Sequence, residues 1–219
     1  MTGVLRVVCW NVRSLRDDSA GVAAALAGLS PDVVLLQEAP RLLGSRLVNA
    51  RLARRAGLRR TAGGASAAGN LLLVSRQVQV VQSHAVLLPR RRGLHRRGAV
   101  LAVLSLDGAR FGVLGTHLDL DPEARLATAQ RVRGPLPVVP PLIVGADLNE
   151  EPGSPAWQVL SRSLLDLGRD LGPTFPQRAP RRRIDGLFAD PAFEVLGVQR
   201  PDPGPVTDHL PLVADLRLP

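Results

Sequence analysis

Polar and ionisable residues stand where the apolar runs of this chain stop. Asn11 follows VVCW, Glu38 follows VVLLQ, His117 follows GVLGT, and Asp147 with Asn149 follows LIVGA. Asp185 lies within RRRIDGLF, and Asp208-His209 opens the last apolar run in PVTDHLPL. A charged side chain beside a strand that must be buried is costly unless it is paired or bound to a cation. Taken singly, each has a bland reading, because Asp, Asn and His commonly finish strands or cap turns. Taken together they offer proton acceptors, oxygen donors for a hard divalent ion and imidazoles that can face an anion.

Two local arrangements add detail. Asp147 and Asn149 are two residues apart, so in extended backbone both side chains leave from one face. One could accept a proton from water while the other donates to the nucleophile or to a phosphate. The alternative is an Asx-type turn ahead of Glu150, Glu151 and Pro152. Asp208 and His209 are adjacent and point to opposite sides unless the backbone bends. His209 then needs another carboxylate, and Asp185 is a candidate. A carboxylate on an imidazole fixes its tautomer and raises its pKa.

The elements that must position these groups are read from periodicity. Residues 4–10 (VLRVVCW) are β-branched and apolar, and 33–37 is a continuous apolar run of the kind that forms a buried strand. Ser19–Leu29 is alanine-rich and predicts a helix with Ser19 as its N-cap. Residues 41–56 predict a second helix, with Leu42, Leu43, Leu47 and Leu52 leaning to one side, and residues 61–70 predict a loop. LLLVS, VQVVQSHAVLL, AVLAVLSL and RFGVLGTHL follow as strands, with Asp107-Gly108 turning the last hairpin. A short helix over 122–132 starts on a proline. A buried strand leading into a loop over 141–149 and strands at 183–189, 193–199 and 211–217 complete the chain, with a short helix beginning near Ser154-Pro155. Helices alternate with strands early and hairpins occupy the middle, which predicts mixed sheets rather than one doubly wound parallel sheet. No linker divides residues 1–219, so a single domain is expected.

Composition bounds the chemistry. Hydrophobic residues make up 45% and charged residues 21%, an ordinary globular balance. The net charge of +9 comes entirely from arginine, since the sequence contains no lysine. Arginine makes bidentate contacts to phosphate, which favours an anionic partner. A GC-rich codon bias explains the same excess, and for the cluster over 90–97 a solvated hairpin loop is the plain alternative. Lysine's absence excludes a P-loop lysine, a Schiff base and a lysine general base. The single Cys9 excludes an internal disulfide and, in an apolar run, reads as a buried structural thiol. No G-x-S-x-G serine elbow occurs. His84 and His95 have no partner motif and read as surface or strand residues. The opening MTGVLRVVCWNV lacks the basic and long apolar regions of a cleaved leader, and no apolar run approaches the length of a membrane span. A cytoplasmic monomer is expected.

CWNV, LLQE, GTHLD, GADLNEEP, RRRID and TDHLPL, in this order, resemble the motifs of the endonuclease/exonuclease/phosphatase superfamily, the DNase-I-like fold. GNLLLVSR and TFPQRAPRRRID resemble its connecting segments. The resemblance spans residues 4–217 and implies a four-layer α/β sandwich, with two mixed β-sheets packed face to face and flanked by helices. It implies Glu38 as principal ligand of Mg²⁺ or Mn²⁺, with Asn11 and Asp208 nearby in the metal shell. Asp147 would orient or deprotonate the attacking water, and Asn149 would hold the nucleophile and a phosphate oxygen. His117, and His209 paired with Asp185, would face the phosphate. The substrate implied is an anionic phosphate ester, with nucleic acid, a phospholipid headgroup and a small metabolite all open. Gly186 departs from the family, which commonly has an aromatic residue there. The other reading is a binding module that kept the fold and lost turnover.

Overall fold

A computed structural model describes residues 3–134 and 140–219. Two six-stranded sheets face one another. The first contains β1 (Val4–Asn11), β2 (Val33–Gln37), β3 (Arg59–Gly63), β4 (Leu71–Val74), β11 (Glu194–Gln199) and β12 (Leu212–Arg217), ordered β11-β12-β1-β2-β4-β3. The second contains β5 (Gln79–Leu87), β6 (Gly98–Leu106), β7 (Ala109–His117), β8 (Leu142–Asp147), β9 (Leu165–Asp166) and β10 (Asp185–Ala189), ordered β5-β6-β7-β8-β10-β9. Helices α1 (Ser19–Leu29) and α2 (Ser45–Arg55) cover the first sheet, and α3 (Pro122–Arg133) and α4 (Pro155–Ser161) cover the second. This is the four-layer sandwich that the motifs imply.

Three apolar layers explain why the strands read as unbroken hydrophobic runs. Along β1, Leu5, Val7 and Cys9 enter the core between the sheets, while Val8 and Trp10 point to α1 and α2. On β8, Ile143 faces inward and Val144 packs towards Trp157 and Leu160 of α4. A strand covered on both faces has no polar side to display.

Each sheet has one central parallel pair. β1 and β2 run parallel with Asn11 opposite Gln37, and β7 and β8 run parallel with His117 opposite Asp147. Parallel neighbours end at the same edge, so the residues finishing these strands gather at one rim. Antiparallel β10 starts at that rim, placing Asp185 opposite Asp147. Gly115 and Gly145 are also opposite one another and leave room for Leu35 of the other sheet. A Cβ at Gly145 would lie 2.8 Å from Leu35 Cδ1 and 3.0 Å from Cys9 Sγ. Gly145→Val should therefore cost about 1–3 kcal/mol through overpacking. Thermal unfolding checks this, with a Tm lowered by roughly 2–12 °C.

Several local expectations are corrected. The N-cap of α1 is Asp18, not Ser19: its carboxylate accepts from the amides of Ala20 and Gly21. The second helix starts at Ser45, because Gly44 at its N-cap is left-handed with φ 79°. Leu42 and Leu43 precede it in an exposed loop, and Leu52 is the one of the four leucines that is buried. Residues 59–63 form β3 and 64–67 a 3₁₀ turn where a loop was expected over 61–70. RRTAG has no apolar alternation to announce a strand, and its pairing comes from β4 beside it. The two-residue β9 gives no periodic signal either.

Candidate active site

The rim is built by turns as much as by strands. β2 ends at Gln37, and Glu38 takes φ 51°, a left-handed value uncommon outside glycine. Its carbonyl accepts from the Ser14 amide at 2.7 Å, while Ala39 donates to the carbonyl of Gly69. Gly69 (φ 97°) lets the chain pass close behind, where a Cβ would meet the Ala39 carbonyl at 3.3 Å. Asn149 is also left-handed (φ 53°), and its amide donates to Asp147 Oδ1 at 3.0 Å. The Asx turn and the functional convergence thus coexist: the turn, not extended backbone, aims Asn149 at His117. Asn149 Nδ2 is 2.9 Å from His117 Nε2.

Asp147 is the centre. Its Oδ2 accepts from Asn11 Nδ2 at 2.8 Å and lies 3.5 Å from His117 Nε2 and 3.8 Å from His209 Nε2. Asn11 Nδ2 also reaches Glu38 Oε1 at 3.2 Å, so one amide bridges two carboxylates. Glu38, His117 and Asp147 each offer a ligand atom within 4.8 Å of the others, and so do Asp147, Asp185 and His209. His209 Nδ1 meets Asp185 Oδ2 at 2.9 Å, which supplies the carboxylate that adjacent Asp208 does not. The imidazole is fixed further by Phe175, ring to ring at 4.7 Å, and by Trp10 Nε1, which donates to the His209 carbonyl. Asp208 stands outside both groups: its Oδ2 is 3.3 Å from Arg13 Nε, and like Glu38 it is only half-buried. Asn11 turns its nitrogen to the carboxylates, and its oxygen accepts from the Arg13 amide.

The two imidazoles are tuned in opposite directions. Burial pushes His117 down to about 4, helped by the nearby charges of Arg97 and His209 and only partly opposed by Asp147, so it is neutral at pH 7. Burial also opposes charge on His209, but the charge and hydrogen bond of Asp185, with Asp147 and Asp208, raise it to about 10. One rim therefore holds a neutral imidazole and an imidazolium. Burial raises the Cys9 thiol well above its ordinary value, which keeps it protonated and fits its structural reading.

The donor set suits a hard divalent ion. Glu38 and Asp147 bring carboxylate oxygens together with only an amide between them, an arrangement of repelling charges that a cation relieves. Oxygen donors without a thiolate match Mg²⁺ or Mn²⁺ better than structural zinc.

Several supporting residues carried no sequence signal. Arg97, from the arginine-rich segment, pairs with buried Asp119 at 3.2 Å. Burial drives the Asp119 carboxyl up, but the Asp121 amide and the Arg97 guanidinium hold it below its usual range. Arg125 pairs with Glu150 at 2.9 Å and bonds the Asn149 carbonyl, bracing the turn after β8. Thr174 Oγ1 accepts from the amides of Ile184 and Asp185. Each such partner comes from a distant part of the chain, so spacing could not reveal them. His84 is half-buried on β5, whereas His95 lies on the wall of a groove of about 670 Å³ that runs from Glu38, His117 and Asn149 outward. At Gly186, a Cβ would lie 2.5 Å from Phe188 Cζ, so the Phe188 ring fills the space that an aromatic at 186 would need.

The sequence profile of the Endonuclease/Exonuclease/phosphatase family matches residues 8–209. The chain belongs to this family. Among solved structures, the endonuclease/exonuclease/phosphatase from Bacteroides vulgatus superposes with a TM-score of 0.80 at 19% identity, over 99% of this chain and 100% of that one. The mannosyl-6-phosphatase Bt3783 of Bacteroides thetaiotaomicron gives 0.77 at 16%, over 97% and 99%. TDP2 of D. rerio, complexed with single strand DNA product, gives 0.76 at 17%, over 98% and 99%. At these identities the likeness shows the shared fold. A search of curated proteins found no match.

Proposed function

We propose that this chain hydrolyses a phosphate ester by direct attack of water, assisted by Mg²⁺ or Mn²⁺. The observation that carries this reading is the convergence of Glu38, Asp147, His117, Asp185 and His209 from two sheets at one rim. Family membership, and neighbours named as a phosphatase and as a complex with a DNA product, support the same chemistry.

Glu38 would hold the ion, and Asn11 and Asp208 would serve as further oxygen donors once released from the Arg13 amide and guanidinium that engage them here. Such an ion neutralises phosphate charge and favours in-line displacement. Asp147, fixed by Asn11 and by the Asn149 amide, accepts the proton of the attacking water. Asn149 and neutral His117 orient that water and a phosphate oxygen. His209, held as a cation by Asp185, faces the phosphoryl oxygens as negative charge builds. The water oxygen bonds to phosphorus as the ester oxygen leaves, and no phospho-enzyme forms.

Bis-p-nitrophenyl phosphate tests this reading. Release of p-nitrophenol should require added Mg²⁺ or Mn²⁺ and stop on chelation. Turnover that persists in excess EDTA would refute the metal-assisted mechanism. A binding module that has lost turnover predicts no release under any condition, and the complete set of rim residues argues against it.

A further inference from the structure

The arginines are segregated along the chain. From Ala39 to Leu106 there are thirteen arginines and not one Asp or Glu, while the rest carries fifteen arginines against nineteen carboxylates. That cationic stretch supplies much of the groove's lining, through the loop ahead of α2 and the loop carrying His95 and Arg97, while Arg16, Glu38, His117 and Asn149 complete it. Beside it stands an apolar knuckle: Leu42 (81% exposed) and Leu43 (107%) line the groove, and Leu47 (79%) follows in the first turn of α2. Leu120, 68% exposed, also lines the groove. Exposed Arg41 and Arg46 flank the knuckle in sequence, and exposed Arg90, Arg91, Arg92 and Arg96 lie on the loop that carries His95 and Arg97.

Large leucines held in water beside a catalytic groove need an apolar partner to be more than a liability. Nucleobases would call for stacking rings. Trp10, Trp157, Phe111, Phe188 and Phe193 are all buried, and Phe175 is half-buried against His209. The mouth offers alkyl groups within a cationic collar, with His95 as an exposed imidazole and every Trp and Phe ring buried or half-buried. That combination matches an anionic lipid surface, where leucines enter the acyl boundary and arginines meet the phosphates. No helix among the described residues is long and apolar enough to cross a membrane, so the contact would be peripheral.

We propose that the Leu42–Leu43–Leu47 knuckle with Arg41 and Arg46 docks this protein on an anionic phospholipid surface and presents the groove to phosphate esters of lipids. The docking stands on the surface alone, whereas the choice of substrate rests on the phosphoesterase reading above.

Flotation of the full chain with vesicles separates the two. The vesicles contain about two parts phosphatidylcholine to one of phosphatidylglycerol, an anionic surface of the kind basic segments recognise. Wild type and Glu38→Gln should float alike, since docking needs no turnover. Leu42→Ser/Leu43→Ser should lower partitioning about tenfold or more, from lost apolar burial. Arg41→Gln/Arg46→Gln should lower it about twenty-five-fold, at about fivefold per charge. Unchanged thermal unfolding of both variants shows that these exposed sites leave the fold intact. Wild type that stays with the unbound fraction would overturn the proposal. So would flotation indifferent to the leucines, or a leucine-dependent affinity for a single-stranded oligonucleotide that exceeds the affinity for vesicles. If flotation behaves as expected while no phosphate ester is cleaved, the docking surface stands and the enzymatic reading fails.

Discussion

Glu38→Gln is expected to lower divalent-dependent phosphodiester hydrolysis by about 10²–10⁴-fold. The change keeps the side chain's size and removes the charge that faces Asp147 across the Asn11 amide. Stabilisation of phosphate charge by a bound ion contributes several kcal/mol, and about 1.4 kcal/mol corresponds to a tenfold rate. The left-handed Glu38 backbone and its bond to Ser14 do not depend on the carboxylate, so the fold should survive. Two measurements separate this from general damage. Added Mn²⁺ should raise the Tm of the wild type, because a ligand that binds only the native state stabilises it, and the gain should vanish in Glu38→Gln. Initial rates across a Mn²⁺ series should show no recovery at ordinary concentrations. An undiminished rate in this variant would remove Glu38 from the metal site.

Asp185→Asn should be nearly as damaging, with a different signature. Asp185 is buried and holds His209 Nδ1 at 2.9 Å, and its charge is a principal reason the imidazole stays protonated up to about 10. His209 has a raised pKa, so its protonated form is present below that value and is lost as the pH rises through it. With asparagine in place the support disappears, burial dominates, and the cation is lost at much lower pH. The wild type should therefore keep its rate through pH 8–9, limited on the alkaline side near 10. Asp185→Asn should fall by roughly 10²–10⁴-fold at pH 8, within the range of general acid–base contributions. Its residual activity should decline with rising pH well below the wild-type limb. His209→Ala should lose a similar factor with no such limb, and the double substitution should be little worse than either single one, as for residues that act as a unit. A pH profile of Asp185→Asn parallel to the wild type would sink the assignment.

Legibility differed between residues for physical reasons. Buried strands such as β1, β2 and β8 were legible because burial on two faces forces long apolar runs, and the polar groups that end them stand out against those runs. α1 was legible except at its cap, where Asp18 and Ser19 are both good capping residues and only backbone geometry chooses. β3 was hidden because it sits at a sheet edge and is partly exposed, so little in its sequence is constrained. Leu42 and Leu43 misled most. Leucine next to a helix ordinarily signals a buried stripe, and Gly44 places them outside the helix and in water instead.

The sequence by itself determined the strands and the identities of the polar groups, because covalent order and the hydrophobic pattern are local properties, and its ordered motifs carried the family resemblance that implied the two-sheet architecture. The tertiary structure decided which of those groups meet. Parallel pairing of β1 with β2 and of β7 with β8 brings four strand ends to one edge, and packing of one sheet on the other then sets Glu38 beside Asp147. The Asp185–His209 contact, the opposite tuning of His117 and His209, and the Arg97–Asp119 and Arg125–Glu150 braces all depend on distance and burial. Electrostatic energy follows separation in space and the local dielectric, and neither is written in the spacing of residues along a chain.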